Sequence, residues 1–366
     1  MAVRHGYGKI AGTDALVFAY DTGDTRNSYK GEPTTNLVSN ANFSNGTTGW
    51  SYVGNGASYF ETTTFQGRTV LHGNGVQYYN QTGYIRQAIP VTSGATYTFS
   101  MRYYVVAGGL TLDPDDAWNG GGTFTSTGQW LTYTSTFTTT STSIMLNLYG
   151  QNNVSSYYYI TDIQIEQKSH VTPFVNGTRS ATQGLLDLTG NYTIDITNAS
   201  FDSNAFITFD GSGDYLDIQN STSLFSGTQD LTVEAAYSLE GQGGAEILGN
   251  YGSGYTTDHL WFSGMYGIWL NGGVYAPGYP LSNGKYHMVG TRESGVMKLY
   301  LNGVLVNSGT RAASIATDIN YRIGADVNGA AEPFTGDIYV VKAYNRALTA
   351  DEVRNNFRHY KTRYNI

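Results

Sequence analysis

The chain of 366 residues contains no cysteine, which excludes disulfide bonds, zinc–thiolate sites and thiol nucleophiles. Only 13% of its residues are charged, about half of the roughly 25% usual in globular proteins, so long surface helices are not expected. No apolar run approaches the ~20 residues of a membrane span, and residues 1–9 lack the apolar core of a signal peptide. We therefore expect synthesis in the cytoplasm and no membrane insertion.

The formal net charge is −8, whereas a surface that binds nucleic acid needs lysine and arginine to neutralise phosphates. A nucleic-acid partner is accordingly not expected. The chain is rich instead in glycine, with 46 residues, and in tyrosine, with 31. Its length predicts about two domains, each large enough to bury a core.

The most informative segment is 336–357. Side chains alternate between apolar and mixed positions over residues 338–343, which predicts a half-buried strand. Thr349 then stands three residues before Glu352, the spacing of a capping box, and Val353, Phe357 and Tyr360 fall on one helical stripe. The segment therefore predicts a strand followed by a short capped helix.

Most of the remaining chain consists of short strand-forming runs separated by Gly, Ser and Asn turns. Predicted strands cover residues 15–20, 84–91, 97–104, 130–137, 144–149, 158–166, 231–237, 245–249, 259–262, 266–270 and 286–291. Such a pattern is typical of antiparallel sandwiches. The sequence therefore predicts an all-β fold.

Several of these segments resemble known families. Residues 209–218, 299–306 and 336–357 resemble the concanavalin A-like jelly-roll superfamily, in the laminin-G-like form common in bacteriophage virion proteins. Residues 36–50 resemble the opening of carbohydrate-binding-module-like galactose-binding jelly rolls. Residues 170–180 resemble the link found between such modules in phage proteins. The resemblance implies two antiparallel β-sandwich jelly rolls, the second discontinuous in sequence, with one short C-terminal helix.

The order of these segments predicts a nested arrangement. In similar phage proteins a strand like 15–20 is soon followed by a segment like Leu186–Asn191, but here the two lie about 165 residues apart, far beyond ordinary loop lengths. We expect an N-terminal arm at 1–13, a laminin-G-like jelly roll formed by 14–34 and 181–366, an inserted carbohydrate-binding-module-like jelly roll at 35–168, and a linker at 169–180.

Glycoside hydrolases of the superfamily need two carboxylates facing each other across a sugar. The nearest candidate pairs in the sequence are Asp162 with Glu166 and Asp214 with Asp217, and neither has the expected spacing on one strand. The six histidines are scattered without metal-ligand spacing. No catalytic residue is therefore assigned, and we expect no enzyme activity.

Both jelly-roll families often hold a structural calcium ion, which oxygen ligands suit. The resemblance implies Asn42 and Asp162 as candidate ligands in the inserted module, and Asp187, Asp214 and Asp337 in the other. The alternative is that these side chains cap turns. No other cofactor is expected.

Exposed aromatic rings can stack on the apolar faces of sugars. The candidates for glycan binding are Trp118, in a loop, and Tyr79, Tyr104 and Tyr158, each in a run of tyrosines whose members point to opposite faces of a strand. The alternative is that these rings pack in the core or in a subunit interface.

The resemblance implies a non-catalytic structural protein of a phage virion, of the decoration, collar or tail-fibre type, that presents adhesive, glycan-binding β-sandwich domains. Its expected partners are other virion proteins and host surface glycans, and its expected location is the virion. A homo-oligomer such as a trimer would suit this role. Two alternatives stay open: a polysaccharide depolymerase on the virion, and an architectural subunit without affinity for sugar.

Overall fold

The computed structural model describes residues 14–77, 83–114, 121–125, 127–201, 206–241, 243, 245–251, 259–270, 272–328 and 332–366. Strands make up 50% of the described residues and helix 5%, which confirms the all-β prediction. Within the described ranges, no helix has the length and apolar character needed to cross a membrane.

The strands are short and closely spaced, as the turn residues predict. In the first half of the chain they are β1 Leu16–Asp21, β2 Thr34–Thr35, β3 Ser51–Val53, β4 Phe60–Phe65, β5 Arg68–Val76, β6 Tyr84–Pro90, β7 Thr96–Ala107, β8 Gly109–Asp113, β9 Gly122–Thr125, β10 Leu131–Thr138, β11 Ser143–Gly150, β12 Ser156–Glu166 and β13 Thr178–Arg179.

The second half ends in the helix. Its elements are β14 Thr193–Thr197, β15 Ser200–Phe201, β16 Ile207–Asp210, β17 Tyr215–Gln219, β18 Leu231–Leu239, β19 Glu246–Gly249, β20 Trp261–Ser263, β21 Gly267–Trp269, β22 Gly273–Tyr275, β23 Gly284–Glu293, β24 Val296–Leu301, β25 Val304–Thr310, β26 Arg322–Ile323, β27 Thr335–Tyr344 and α1 Ala350–Tyr364.

The chain divides into two compact units, 33–180 and 1–32 with 181–366. Residues 169–180, expected to be a linker, belong to the first of these. Glu166, at the end of β12, accepts hydrogen bonds from the amide and hydroxyl of Thr172 at 2.8 and 2.7 Å and from the hydroxyl of Thr34 at 2.8 Å. These buried bonds hold the segment against the sheet, which explains why it does not form a free connection.

The unit 33–180 is a sandwich of two five-stranded antiparallel sheets, ordered β10-β7-β12-β5-β4 and β3-β6-β11-β8-β9. Alternate side chains of both sheets point into one core. Its fully buried members include Leu71, Ile85, Phe99, Met101, Leu146, Tyr158 and Ile160. The opposite faces of these strands are therefore available for surface functions.

The unit 1–32 with 181–366 is also a two-sheet structure. One sheet has the order β15-β16-β27-β18-β23-β24-β25, with β1 also paired to β27, and the other has the order β14-β17-β26-β19-β20-β21-β22. In the first sheet, Tyr20 lies opposite Val341 and Asp21 opposite Val340. The two ends of the described chain thus share one sheet, as the nested arrangement requires.

Helix α1 begins as the capping box predicts. The Thr349 side chain accepts a hydrogen bond from the Glu352 amide, and the Glu352 side chain accepts one from the Thr349 amide. Val353 and Tyr360 are buried on the face that packs against the first sheet, whereas Phe357 is half-buried.

Candidate functional site

The outer face of the sheet β10-β7-β12-β5-β4 carries a row of aromatic side chains. Successive side chains of a strand point to opposite faces. Tyr103 and Tyr158 are buried, so their neighbours Tyr104 and Tyr159 lie on the outer face. Tyr159 stands directly opposite Tyr104 on one side and His72 on the other. Strand register therefore aligns side chains that are far apart in sequence.

Phe65, at the end of β4, and Trp130, just before β10, extend this row. The Phe65 ring stacks on Tyr159 with centroids 3.8 Å apart and planes 12° apart, and His72 stacks on the same tyrosine at 4.7 Å. Trp130 meets Tyr104 edge to face at 5.9 Å. All five rings are half-buried, and we call this group the aromatic platform. Phe65 also lies 5.1 Å from Tyr104 and 6.1 Å from Trp130, so the rings form one compact cluster.

Polar groups flank the platform. Glu61 lies 3.0 Å from Nδ1 of His72, and Nε1 of Trp130 donates to Oε1 of Gln66 at 3.1 Å. The Arg102 guanidinium lies 5.9 Å from the Trp130 ring, and its buried Nε has no hydrogen-bond partner in the described part of the chain. Ring faces bordered by donors and acceptors are the arrangement that sugar binding requires.

Of the tyrosines singled out from the sequence, Tyr104 is on the platform and Tyr158 is not. Tyr158 has no exposed surface and packs in the core, so it cannot stack on a ligand. It fits there because Gly73 lies opposite it on β5, where a Cβ would come within 2.5 Å of the Tyr158 ring. Trp118 and Tyr79 lie outside the described residues.

The predicted calcium ligands of this unit have other partners. The first and last segments do meet, since the Ile163 amide donates to the Ala41 carbonyl at 3.1 Å. However, the side-chain oxygen Oδ1 of Asn42 accepts a hydrogen bond from the Ser44 amide. Oδ2 of Asp162 lies 3.7 Å from Nη1 of Arg68. A guanidinium beside Asp162 disfavours a divalent cation there, so the turn-capping alternative fits Asn42 better.

Asp187 anchors a turn to β1. Its Oδ1 accepts from the amides of Ala19 and Thr189 at 3.0 and 3.1 Å. Its Oδ2 accepts from the amides of Asn191 and Tyr192, both at 3.1 Å, and from the Thr189 hydroxyl. Because amide hydrogens converge on both oxygens, the turn-capping alternative accounts for Asp187.

Asp214 and Asp337 also serve the fold. Asp214 accepts from the Asp210 amide at 2.8 Å, and burial raises the pKa of Asp214. Asp337 accepts from the Thr208 hydroxyl at 2.7 Å. Within the described ranges, no group of three or more Asp, Glu, His or Cys side chains is placed to hold a metal ion. The expected calcium set of Asp187, Asp214 and Asp337 is therefore not assembled.

The acid pairs weighed for glycoside hydrolysis are likewise engaged. Glu166 is fully buried within the bonds that hold residues 169–180. Asp217 pairs with Arg322 at 2.8 Å. These carboxylates therefore have structural roles.

Sequence reasoning missed most of the platform, because no strand was predicted between residues 60 and 76. The signal was present: Phe60–Phe65 and Arg68–Val76 flank Gln66-Gly67, and both turn residues have positive φ, 49° and 76°. That combination is favourable for a tight hairpin. It would have placed Phe65 and His72 on strands next to the tyrosine runs.

Several solved structures are similar to parts of the chain at low sequence identity. A structure described as "CBM4 structure and function" is 15% identical, covers 36% of this chain and 99% of its own, and has a TM-score of 0.29. The CBM40 of the Ruminococcus gnavus IT-sialidase is 18% identical, with 41% and 94% covered and a TM-score of 0.31. At these TM-scores the similarities support no functional argument.

Domain 4 of AbnA, a GH43 extracellular arabinanase from Geobacillus stearothermophilus solved with arabinotriose, is 21% identical. It covers 48% of this chain and 92% of its own, with a TM-score of 0.35. No curated protein matches the chain in sequence.

Two family models match separate parts of the sequence. Residues 35–155 match the model described as "Carbohydrate binding domain". Residues 210–354 match the model described as "Concanavalin A-like lectin/glucanases superfamily", the laminin-G-like form. The first match lies in the unit that carries the platform, and the second lies in the unit that contains α1. The chain therefore contains a carbohydrate-binding-module domain and a concanavalin A-like, laminin-G-like domain.

Proposed function

We propose that this protein is a non-catalytic adhesive subunit of a bacteriophage virion, and that its inserted unit binds a glycan on the aromatic platform. The observation that carries the proposal is the alignment of half-buried rings across one sheet, with Tyr159 in contact with both Phe65 and His72. Partly exposed aromatic rings leave apolar surface in contact with water, which is unfavourable. A ligand that covers the rings removes this surface from water.

The rings of the platform come from different strands and meet in one cluster, with Phe65 6.1 Å from Trp130. Polar side chains stand beside it, including Glu61, Gln66 and Arg102. Stacking would supply affinity, and these groups would select among sugar hydroxyl patterns.

The absence of catalysis is part of the proposal. Among the described residues near the platform, the acids are Glu61, paired with His72, and Asp162, close to Arg68. Hydrolysis needs one protonated and one ionised carboxyl facing each other across the bond. Carboxylates that are already paired with basic groups suit binding better.

The assignment to a virion is supported by the nested order of the two domains and by the 170–180 segment, both of which resemble phage structural proteins. In this role the laminin-G-like unit would contact other virion proteins, and a symmetric homo-oligomer such as a trimer would multiply weak glycan contacts through avidity. Location, partners and oligomeric state can be tested by protein mapping of purified particles.

The test is a glycan array that includes bacterial surface polysaccharides, followed by calorimetric titration of the strongest binder. Tyr159→Ala and Trp130→Ala should each weaken binding roughly ten-fold or more, since truncation of an aromatic anchor costs about 1.4 kcal/mol or more. Leu305→Ala is the control, because that side chain is 49% exposed in the other unit and belongs to no aromatic group described in this protein; it should leave glycan affinity unchanged.

Each other outcome identifies an alternative. New reducing ends after incubation with polysaccharide, abolished by one Asp or Glu substitution, would establish a depolymerase. A folded oligomer with no glycan signal would establish an architectural subunit. Binding that survives both platform substitutions would refute the assignment of the site.

A further inference from the structure

The unit that contains α1 has a second aromatic surface, separate from the platform. A cleft of about 340 Å³ is lined by Trp261, Tyr266, Tyr275, Tyr279 and Glu332. The rings come from β20, from the turn after it and from the end of β22 and the turn beyond, whereas Glu332 precedes β27. We call this group the aromatic cleft.

The rings of the cleft are inclined to one another and do not form one continuous stack. Trp261 and Tyr266 have centroids 5.8 Å apart at 35°, and Tyr266 and Tyr279 are 6.0 Å apart at 59°. Tyr275 and Tyr279 are 4.8 Å apart at 36°. Inclined rings can present several π-faces to one small group, whereas a flat row of rings suits a long ligand.

Carboxyl groups lie in and near the cleft. Glu332 is part of its lining, and burial, followed by the nearby charge of Asp326, raises the pKa of Glu332. Glu246, on β19, is fully buried, and neither of its carboxylate oxygens has a hydrogen-bond partner within the described ranges. Burial raises the pKa of Glu246 well above its usual value, and Asp326 and Glu332 add to the effect, whereas Arg322 lowers it. Glu332 is therefore the carboxyl group that lines the cleft itself.

Two arginines of this unit are engaged elsewhere. Arg311 donates to the carbonyls of Gly273, on β22, and Thr310 at 2.8 and 2.7 Å. Arg322 pairs with Asp217 at 2.8 Å, and its guanidinium lies 3.8 Å from the centroid of the Tyr215 ring. Among the residues that the structure describes, no lysine or arginine lies over the rings of the cleft. The chain's described cations therefore leave the π-faces of the cleft available.

We propose that the aromatic cleft binds an organic ammonium group, of the kind carried by choline or by an amino sugar with a free amine. The faces of Trp and Tyr rings attract cations, most strongly when several rings surround one cation. Glu332 would add a carboxylate beside the ammonium. A divalent metal ion is disfavoured, because aromatic carbons do not replace the oxygen ligands that calcium or magnesium requires.

The experiment titrates the full chain with choline and, separately, with glucosamine, at constant ionic strength set by sodium chloride. Two neutral molecules serve as shape controls: 3,3-dimethylbutanol for choline and N-acetylglucosamine for glucosamine. We expect at least one cation to bind roughly ten-fold more tightly than its neutral counterpart. Which cation binds more tightly distinguishes a quaternary ammonium source from an amino-sugar source.

Variants then locate the site. Tyr279→Ala and Glu332→Gln should each weaken binding of the cation several-fold, and Glu332→Gln keeps the shape of the side chain. Val154→Ala, 39% exposed in the other unit and outside both aromatic groups, should leave it unchanged. Because the cleft and the platform use different residues, this proposal and the glycan proposal fail independently. Equal affinity for the neutral counterparts, no binding of either cation, or full binding by both cleft variants would overturn the assignment.

Discussion

Replacement of Glu234 by alanine should detach helix α1 from its sheet. Glu234 lies on β18 and has no exposed surface. Its carboxylate accepts from Nε2 of His287 at 2.8 Å and from the Asn356 amide group of α1 at 2.9 and 3.0 Å. Burial alone would raise the pKa of Glu234, but His287, Lys342 and Asn356 together lower it. The structure therefore stabilises the charged form.

Loss of one partner from a buried charged network costs about 3–5 kcal/mol, because the remaining groups stay buried without compensation. A typical domain has only about 5–15 kcal/mol of stability. Glu234→Gln keeps one acceptor oxygen but replaces the other with an NH2 group, which would face the donors of His287 and Asn356. It should therefore lower the stability by about 1–3 kcal/mol. Because the pKa of Glu234 is lowered in the folded protein, ionised Glu234 contributes its full stabilisation above the unfolded-state pKa of about 4.3. This stabilisation is lost as the pH falls below that value.

Amide hydrogen exchange over residues 350–364 is the assay, because two units need not unfold in a single transition. For Glu234→Ala, exchange at pH 7 should accelerate about 150- to 4,000-fold, the equivalent of the lost free energy. Asp351→Ala is the control, since that carboxylate is 84% exposed in its pair with Arg354; it should change exchange little. Less than ten-fold acceleration in Glu234→Ala would refute the role given to the network.

Further expectations concern single contacts. Asn36→Ala removes buried bonds to two carbonyls and two amides, and urea unfolding of the unit 33–180 should show a loss of about 2 kcal/mol or more. Gly73→Ala puts a Cβ within 2.5 Å of the Tyr158 ring, and the same assay should show a loss of about 1–3 kcal/mol. Arg346 lowers the pKa of Glu352 to about 2, so Glu352→Gln should cost less than ~1 kcal/mol at pH 7 and nothing near pH 2.

The features that the sequence predicted correctly depend on contacts between residues that are close together in the chain. Thr349 and Glu352 lie three residues apart, so the cap of α1 was predicted correctly. Alternation within a strand predicted that one of Tyr103 and Tyr104 faces outward, and Tyr104 does. Local patterns of this kind need no knowledge of which strands pair.

The platform could not be found in the same way, because strand register decides it. In residues 157–159, alternation alone does not decide whether Tyr158 or Tyr159 faces outward. Only the pairing of β12 with β5 and β7 turns Tyr159 outward and Tyr158 inward. Phe65 meets Tyr159 across 94 positions of sequence. Sequence therefore supplied the aromatic residues, and the sheet determined which of them form a site.

The most direct test of the central claim is a crystal structure of the protein with the oligosaccharide that binds most tightly on the array. The account predicts that sugar rings lie over the faces of Phe65 and Trp130, with hydroxyl groups within hydrogen-bond distance of Arg102 or Glu61. A bound oligosaccharide that contacts none of these residues would contradict it.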